Sequence, residues 1–350
     1  MIKEQARSCR LITDRMRRRT RFTIAIVVVV LLLLAGAVYL RKKAPPEAAR
    51  LLPESNGIIY LNLRPLRAAT HLEKHPVPHD ADYQHFIDST GIDPERDLDE
   101  VAFGLHRMPD PNGPNGPVAF SEVFVGHFDD RKLAQYLHSV AATTEDYAGH
   151  TIYSIPVEQR TVRVTLMGYD MVAVSNTPTE EQLHSILDRY KTAALPFTGS
   201  SLLAEHYSDV PLLSLAWGVG QIGLPLGDGG GSLKVMGMSL PLTLDATFIA
   251  SLSWSGKTKL RVEEIAPNDA AAQASADSMG TLLNFVRNSL DAAPAGSSNA
   301  DTRALLDSAQ IEHHKNRAVF SATIPTEMLQ KLVSAPVKLE NAPHPEQGAK

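Results

Sequence analysis

The sequence predicts an α+β protein: an N-terminal transmembrane helix followed by two antiparallel-sheet modules, each with helices packed on one face. Three observations predict it. Residues 22–40, FTIAIVVVVLLLLAGAVYL, are uncharged and bracketed by arginines and lysines. Downstream, short segments of strand formers alternate with clusters of Pro, Asn and Gly that mark turns. The order hairpin, helix, strands, helix then occurs twice, before and after residue 196. On this reading residues 1–21 are a basic cytoplasmic tail, 22–40 the span, 41–56 a linker, 57–195 the first module, 196–335 the second and 336–350 a disordered tail.

The apolar run has the length of a span. Nineteen residues at about 1.5 Å each give roughly 28 Å, close to the hydrocarbon thickness of about 30 Å. Its thirteen Leu, Ile, Val or Phe favour insertion by roughly 4 to 8 kcal/mol. Phe22, Ile26, Val30, Leu34 and Leu40 mark the expected membrane-spanning positions from one end to the other. Eight basic residues precede the run and four follow it by residue 50, which favours a cytoplasmic N-terminus and a single pass, with the lipid bilayer as first partner. Ala35-Gly36-Ala37 has the form of a signal-peptide processing site, the rival reading; the apolar residues continuing through Leu40 and the basic stop after them favour a retained anchor.

Charge divides the chain. The first fifty residues hold 12 basic and 3 acidic side chains of the 34 and 39 in the whole, so residues 51–350 carry a net charge of −14. An acidic body repels phosphate backbones, and no nucleic-acid partner is expected. The single cysteine, Cys9, lies before the span, so the body has no disulfide and its stability must come from its core.

Taken in order, Pro45-Pro46 reads as a short stiff spacer. Ile58-Ile59-Tyr60-Leu61-Asn62-Leu63 is a strand. Residues 82–90 form a short helix closed by Gly91, and 100–106 a strand. The run Pro109-Asp110-Pro111-Asn112-Gly113-Pro114-Asn115-Gly116-Pro117 is an exposed loop to a second strand, 118–126. Asp129 caps a helix with Leu133, Tyr136, Leu137 and Val140 on one face. Strands follow at 150–155, 161–167 and 171–175. Thr177-Pro178 then opens a helix with Leu183, Ile186, Leu187 and Tyr190 as its apolar stripe. In the second half come a strand at 212–217, a glycine-rich loop at 218–231 and a hairpin turning at Ser255-Gly256. A helix from Asn268-Asp269 to about Leu290 points Leu282, Leu283, Phe285, Val286 and Leu290 to the core. A linker, a short helix from Asp301, strands at 311–315 and 318–324 and a helix at 326–333 complete the chain.

The chemical motifs are weak. Gly218-Val219-Gly220-Gln221-Ile222-Gly223 has dinucleotide-site spacing, but Pro225 and further glycines stand where the phosphate-binding helix must start, so no cofactor is expected. Ser255-Gly256-Lys257-Thr258 lacks the earlier glycine of a phosphate loop. Asp93, Glu95, Asp97 and Asp99 alternate like a calcium loop, but Leu98 replaces its glycine and Gly104 its bidentate Glu, leaving a solvated turn. His71, His75, His79 and His85 are the best metal ligands by spacing, yet Pro76 and Pro78 break the helix that would align them. Glu312-His313-His314 lies on a strand, where neighbours point apart.

Leu52-Pro53-Glu54-Ser55 running into Ile59-Tyr60-Leu61-Asn62-Leu63, then Gly91-Ile92-Asp93-Pro94 with Asp97-Leu98-Asp99-Glu100-Val101, resembles uncharacterised bacterial proteins with one N-terminal span and an extracytoplasmic domain of unknown function. The resemblance implies an envelope setting, with the body outside the inner membrane, and carries no catalytic residue. The sequence is therefore read as a membrane-anchored binding or scaffold protein with an envelope protein as partner. Its expected contact loops centre on Asn112, Gly113 and Asn115, and on Gly220, Asp228 and Gly230. The alternative is an anchored hydrolase or metal-dependent enzyme using residues 71–85.

Overall fold

The computed structural model describes Val29 and residues 44–70, 81–192, 199–221, 232–235, 238–241, 246–291 and 300–328. The chain divides into units 1–44 and 45–350, and every element named here lies in the second. No helix among the described residues is long and apolar enough to cross a membrane. The expected fold class, headed by a transmembrane helix, is corrected on that finding. Phe22, Ile26, Val30, Leu34 and Leu40 lie outside the described residues. The longest described helix has 23 residues, but Asp269, Gln273, Asp277 and Arg287 along its length suit water and not hydrocarbon.

The unit opens with α1 (Glu47–Leu51), β1 (Gly57–Asn62) and α2 (Leu63–Thr70). Next come α3 (Ala81–Thr90), the single turn α4 (Pro94–Asp97) and the long hairpin β2 (Leu98–Arg107) with β3 (Val118–Gly126). Then follow α5 (Asp130–Val140), a meander of β4 (Thr143–Tyr147), β5 (His150–Val157), β6 (Arg160–Met167) and β7 (Met171–Ser175), and helices α6 (Glu181–Lys191) and α7 (Ser201–His206). The second half has β8 (Ser214–Gln221), the small pair β9 (Ser232–Val235) and β10 (Met238–Pro241), and the hairpin β11 (Thr247–Trp254) with β12 (Thr258–Ile265). It ends with α8 (Asp269–Asp291), α9 (Ala300–Asp307), β13 (Gln310–His314) and β14 (Arg317–Ile324).

The two expected sheets are one. Among the described residues twelve antiparallel strands run in the order β13-β14-β12-β11-β8-β1-β2-β3-β7-β6-β5-β4, and β9 and β10 form a separate pair. The join is β1 on β8, in register from Gly57 opposite Gly220 to Leu61 opposite Ala216. On each side of it a hairpin is followed by a helix, and a later hairpin returns its last strand to the first, β7 on β3 and β14 on β12.

Local chemistry explains the elements. The Asp129 carboxylate accepts from the Lys132 amide to start α5, and the Ser200 hydroxyl accepts from Leu203 to start α7. Ala148 and Gly149, both at positive φ (60° and 85°), form the two-residue turn whose twist suits the β4–β5 hairpin. The stretch read as a spacer is core instead: Ala48, Ala49, Leu51 and Leu52 are each at most 1% exposed. Pro46 sits at the cap of α1, where its fixed φ starts a helix and does not extend the chain.

Directly paired residues of antiparallel strands point to the same side of a sheet, so the registers sort the side chains. Tyr60, Ala102, Val123 and Ala173 on one side of the join and Trp217 on the other share one face. It is buried, together with Leu51 of α1, Leu183, Ile186 and Leu187 of α6 and Leu203 of α7, in the main core. On the opposite face Phe86 of α3 and Leu133 and Leu137 of α5 cover Ile155, Val164 and Val172. Towards the other edge, Ser275 of α8 donates to Glu264 of β12 at 3.0 Å. Helices therefore cover both faces, which corrects the expectation of one. In α8 the buried residues are Ala272, Ser275 and Ala276, whereas Phe285, expected in the core, is 55% exposed.

β4 was not legible as a strand and closes one edge of the sheet. Its Tyr147 ring stacks on His184 of α6 at 3.8 Å, the Tyr147 hydroxyl donates to Asp188 at 3.0 Å, and Glu145 lies 3.1 Å from His184.

Because Leu51 is fully buried, Leu51→Ala is expected to cost about 2–5 kcal/mol, read as a lower midpoint in urea unfolding. A residue in a solvated spacer would shift it by no more than about 0.5 kcal/mol.

Candidate functional site

The two faces of the sheet differ at its centre. On the face opposite the main core, the registers set Val174, Glu122, Phe103, Ile59, Gly218 and Ala250 in one row across β7, β3, β2, β1, β8 and β11. Ile59 stands in the middle of a central strand and is 40% exposed, whereas Ile58 and Tyr60 beside it are 0% and 3% exposed. Phe103, Glu122, Gly218 and Ala250 are half-buried. The helices α5 and α8 take the flanks of this face and leave a shallow floor of mostly apolar side chains between them.

Gly218 deepens that floor. A Cβ there would meet the Ile58 carbonyl oxygen at 3.5 Å and Ile59 Cγ1 at 3.7 Å, both ordinary contacts. Its backbone does not require glycine, and glycine inside a strand often marks close approach by another molecule.

Glu122 is the only acidic residue in that row. On its own strand Phe120 and Phe124 flank it on the same side, Phe103 and Val174 lie opposite, and Phe103 meets Phe124 edge to face at 6.4 Å. Burial pushes its carboxyl up to about 7, with no charged neighbour contributing. A carboxylic acid kept protonated near neutrality in apolar surroundings is a common feature of functional sites. No second acid, base or nucleophile stands with it in the row, so the arrangement favours holding a ligand over acid–base chemistry.

The other polar clusters are structural. On the closed face His106 Nε2 lies 2.9 Å from Ser121 Oγ, Ser121 Oγ 3.3 Å from Ser175 Oγ, and Ser175 Oγ 2.8 Å from Thr177 Oγ1. The Ser121–His106 distance is that of a nucleophile and its base. Both are buried, at 0% and 7% exposure, and burial lowers His106 to about 4. A substrate cannot reach the hydroxyl, and the chain of bonds satisfies polar groups in a core. Arg163, also buried, donates to the Thr177 carbonyl at 2.9 Å and to Glu180 at 2.8 Å.

Two buried carboxylates act as clamps. Asp99, bonded to Arg64 at 2.7 Å, fixes α2 against β2, and that hydrogen bond holds its carboxyl below the usual range. Burial alone would raise Glu263, but bonds from Arg261 and Arg317 outweigh it; Arg317 also reaches Asp209 at 3.1 Å. The acidic run read as a solvated turn is ordered: Asp93 caps α4 by accepting from the Glu95 amide, and Asp97 accepts from the Asp93 amide at 2.8 Å.

The expected contact loops separate. Asn112, Gly113 and Asn115 do lie in the turn between β2 and β3. The Asn112 amide donates to Asp110 at 3.0 Å, and the Asn115 side chain donates to the Asn176 carbonyl. Asn176 in turn accepts from the Phe120 amide at 2.6 Å, so this loop is tied to the end of β7. Gly220 is not in a loop but within β8, opposite Gly57 and Phe248. Asp228 and Gly230 lie outside the described residues, as do His71, His75 and His79. His85 is exposed on α3, 3.5 Å from Ser89. Among the described residues no three His, Cys, Asp or Glu side chains converge to hold a metal.

Fold and site together define a class: an α+β protein on one open twelve-stranded antiparallel sheet, with a half-exposed apolar face and a lone carboxyl upon it. No family model matches the chain, and no curated protein does. Among solved structures, crystal form IV of TP0453 overlaps 82% of this chain and 96% of its own at 12% identity, with a TM-score of 0.45. Crystal form III of TP0453 overlaps 83% and 99% at 11% identity, with a TM-score of 0.43. Values this low do not establish a common fold.

Glu122 makes a signed prediction. Its folded-state value, about 7, exceeds the ordinary 4.5, so between those pH values the folded chain keeps a proton that the unfolded chain has lost. Its contribution therefore falls as pH rises through that window, by an amount on the order of 1–3 kcal/mol. In urea unfolding at pH 5 and pH 8, Glu122→Gln is expected to remove that part of the loss.

Proposed function

We propose that this chain is a binding or scaffold protein that holds its ligand on the half-exposed face of the sheet. The observation that carries the reading is Ile59, 40% exposed at the middle of a central strand. A large aliphatic side chain at the centre of a wide sheet is ordinarily covered, and leaving about 40 Å² or more of it wet forgoes roughly 1 kcal/mol of burial. A ligand that covers the row recovers that energy. The rest of the row supports the same reading: Phe103 and Ala250 give apolar contact, Gly218 gives room, and Glu122 gives one polar group of fixed position. Binding there requires neither a metal nor a transmembrane segment.

The chain has a second exposed apolar cluster that serves as a control. Leu212 and Leu213, 62% and 81% exposed, precede β8 next to the Trp254 end of β11. The neutral fluorophore Nile red is expected to bind the wild-type protein saturably, and Ile59→Lys to weaken that binding about tenfold or more, the equivalent of about 1.4 kcal/mol. Leu213→Gly should leave it unchanged, and Gly218→Val should weaken it by filling the floor. Binding that survives Ile59→Lys and is lost with Leu213→Gly would place the ligand elsewhere and overturn the proposal.

A further inference from the structure

The row across the open face holds one acid, and its position relative to the apolar residues is fixed by the register. Glu122 is directly opposite Phe103, and Phe103 directly opposite Ile59. Neighbouring strands are about 4.8 Å apart, so Glu122 and Ile59 are separated by roughly 10 Å across the strands. The apolar floor continues past Ile59 to Gly218 and Ala250. A ligand lying perpendicular to the strands would meet a polar group at one end and an apolar surface along the rest.

The groups around Glu122 decide what that polar end accepts. The same side of β2 presents Val101, Phe103 and Leu105, that of β3 Phe120 and Phe124, and that of β7 Val172 and Val174. From the helices packed over the neighbouring strands come Leu133, Tyr136 and Leu137 of α5 and Phe86 of α3. Tyr136 is the only titratable side chain among these, and Tyr153 stands further along the row beyond Val174 and Val164; a phenol carries no charge at neutral pH. No charged side chain of the described residues acts on the carboxyl. A buried acid with no cation beside it gains most from a ligand that brings one. A neutral hydroxyl would add a single ordinary hydrogen bond, whereas an ammonium adds a charge-assisted bond about twice as strong in a partly desolvated setting. A carboxylate would have to share the proton on Glu122 and bring a second negative charge to an acidic protein. The net charge of −14 over residues 51–350 also draws cations to the surface and repels anions.

We infer that the open face takes an apolar molecule bearing one amine, its ammonium against the Glu122 carboxyl and its apolar part lying across Phe103, Ile59 and Gly218. This rests on the proposed role of the open face. On binding, the Glu122 carboxylic acid gives up its proton to solvent and the resulting carboxylate pairs with the ammonium, so charge and protons balance without any further reactant.

The test is competition against Nile red by octylamine, 1-octanol and octanoate, which share a chain and differ in the head group, with the wild-type protein and Glu122→Gln. Octylamine is expected to displace the dye at least tenfold more effectively than 1-octanol from the wild type, with octanoate weakest. In Glu122→Gln the advantage of the amine over 1-octanol should vanish. Calorimetry at pH 6 in buffers of different ionisation enthalpy should show about one proton released per octylamine bound by the wild type and none by the variant. Equal displacement by all three, or stronger displacement by octanoate, would overturn the inference and leave the binding face standing. Saturable dye binding that is indifferent to Ile59→Lys would instead overturn the binding face itself.

Discussion

The pairing of β1 with β8 is the contact on which the rest of the molecule depends. It joins two halves, each a hairpin, a helix and a returning hairpin, into one sheet, and it places Ile59 and Gly218 side by side at the centre. Each strand of the join is short, and its backbone bonds would be exposed edges if the halves separated. The pairing is supported from one side only. On the closed face Tyr60 stacks on Trp217 at 5.4 Å, and Tyr207 meets the same ring edge to face at 5.4 Å. On the other face the same two strands offer Ile59 and a glycine.

That asymmetry separates stability from function. The closed face carries the main core and the satisfied chain of His106, Ser121, Ser175 and Thr177. Its polar groups are spent on one another. The central row of the open face is half-exposed, and its one acid has no charged neighbour. A protein that had filled this face with a further helix would gain apolar burial and lose the exposed floor. Sites that bind are commonly places where such stabilisation is forgone.

Much of the fold could be read from the residues, for reasons that are local. Thr161 to Leu166 alternates between polar and apolar side chains, Asp129 caps a helix whose Leu133 and Leu137 are buried, and Ser255-Gly256 turns a hairpin. What was not legible depends on distant partners. Thr143-Thr144-Glu145-Asp146 shows no alternation because both sides of an edge strand are wet, so β4 was missed. Gly218 and Gly220 signalled a loop because glycine weakens strands, yet β8 is held between two neighbours that supply its bonds. The fusion of two sheets into one rests on a pairing between residues about a hundred and sixty positions apart, which no periodicity records. Glu122 had a local signal, an acid between Phe120 and Phe124 at alternate positions, but the alternation does not say which side is covered.

The edge strand β4 has a consequence for the molecule at high concentration. Its Glu145 and Tyr147 are drawn against α6 by His184 and Asp188, which keeps the strand in place while its outer rim stays unpaired. Were a second molecule to dock there strand to strand and head to tail, Glu145 and Asp146 of the two copies would crowd together, and opposed like charges resist such pairing. Two carboxylates at this border thus disfavour the pairing of the edge with a second copy of itself.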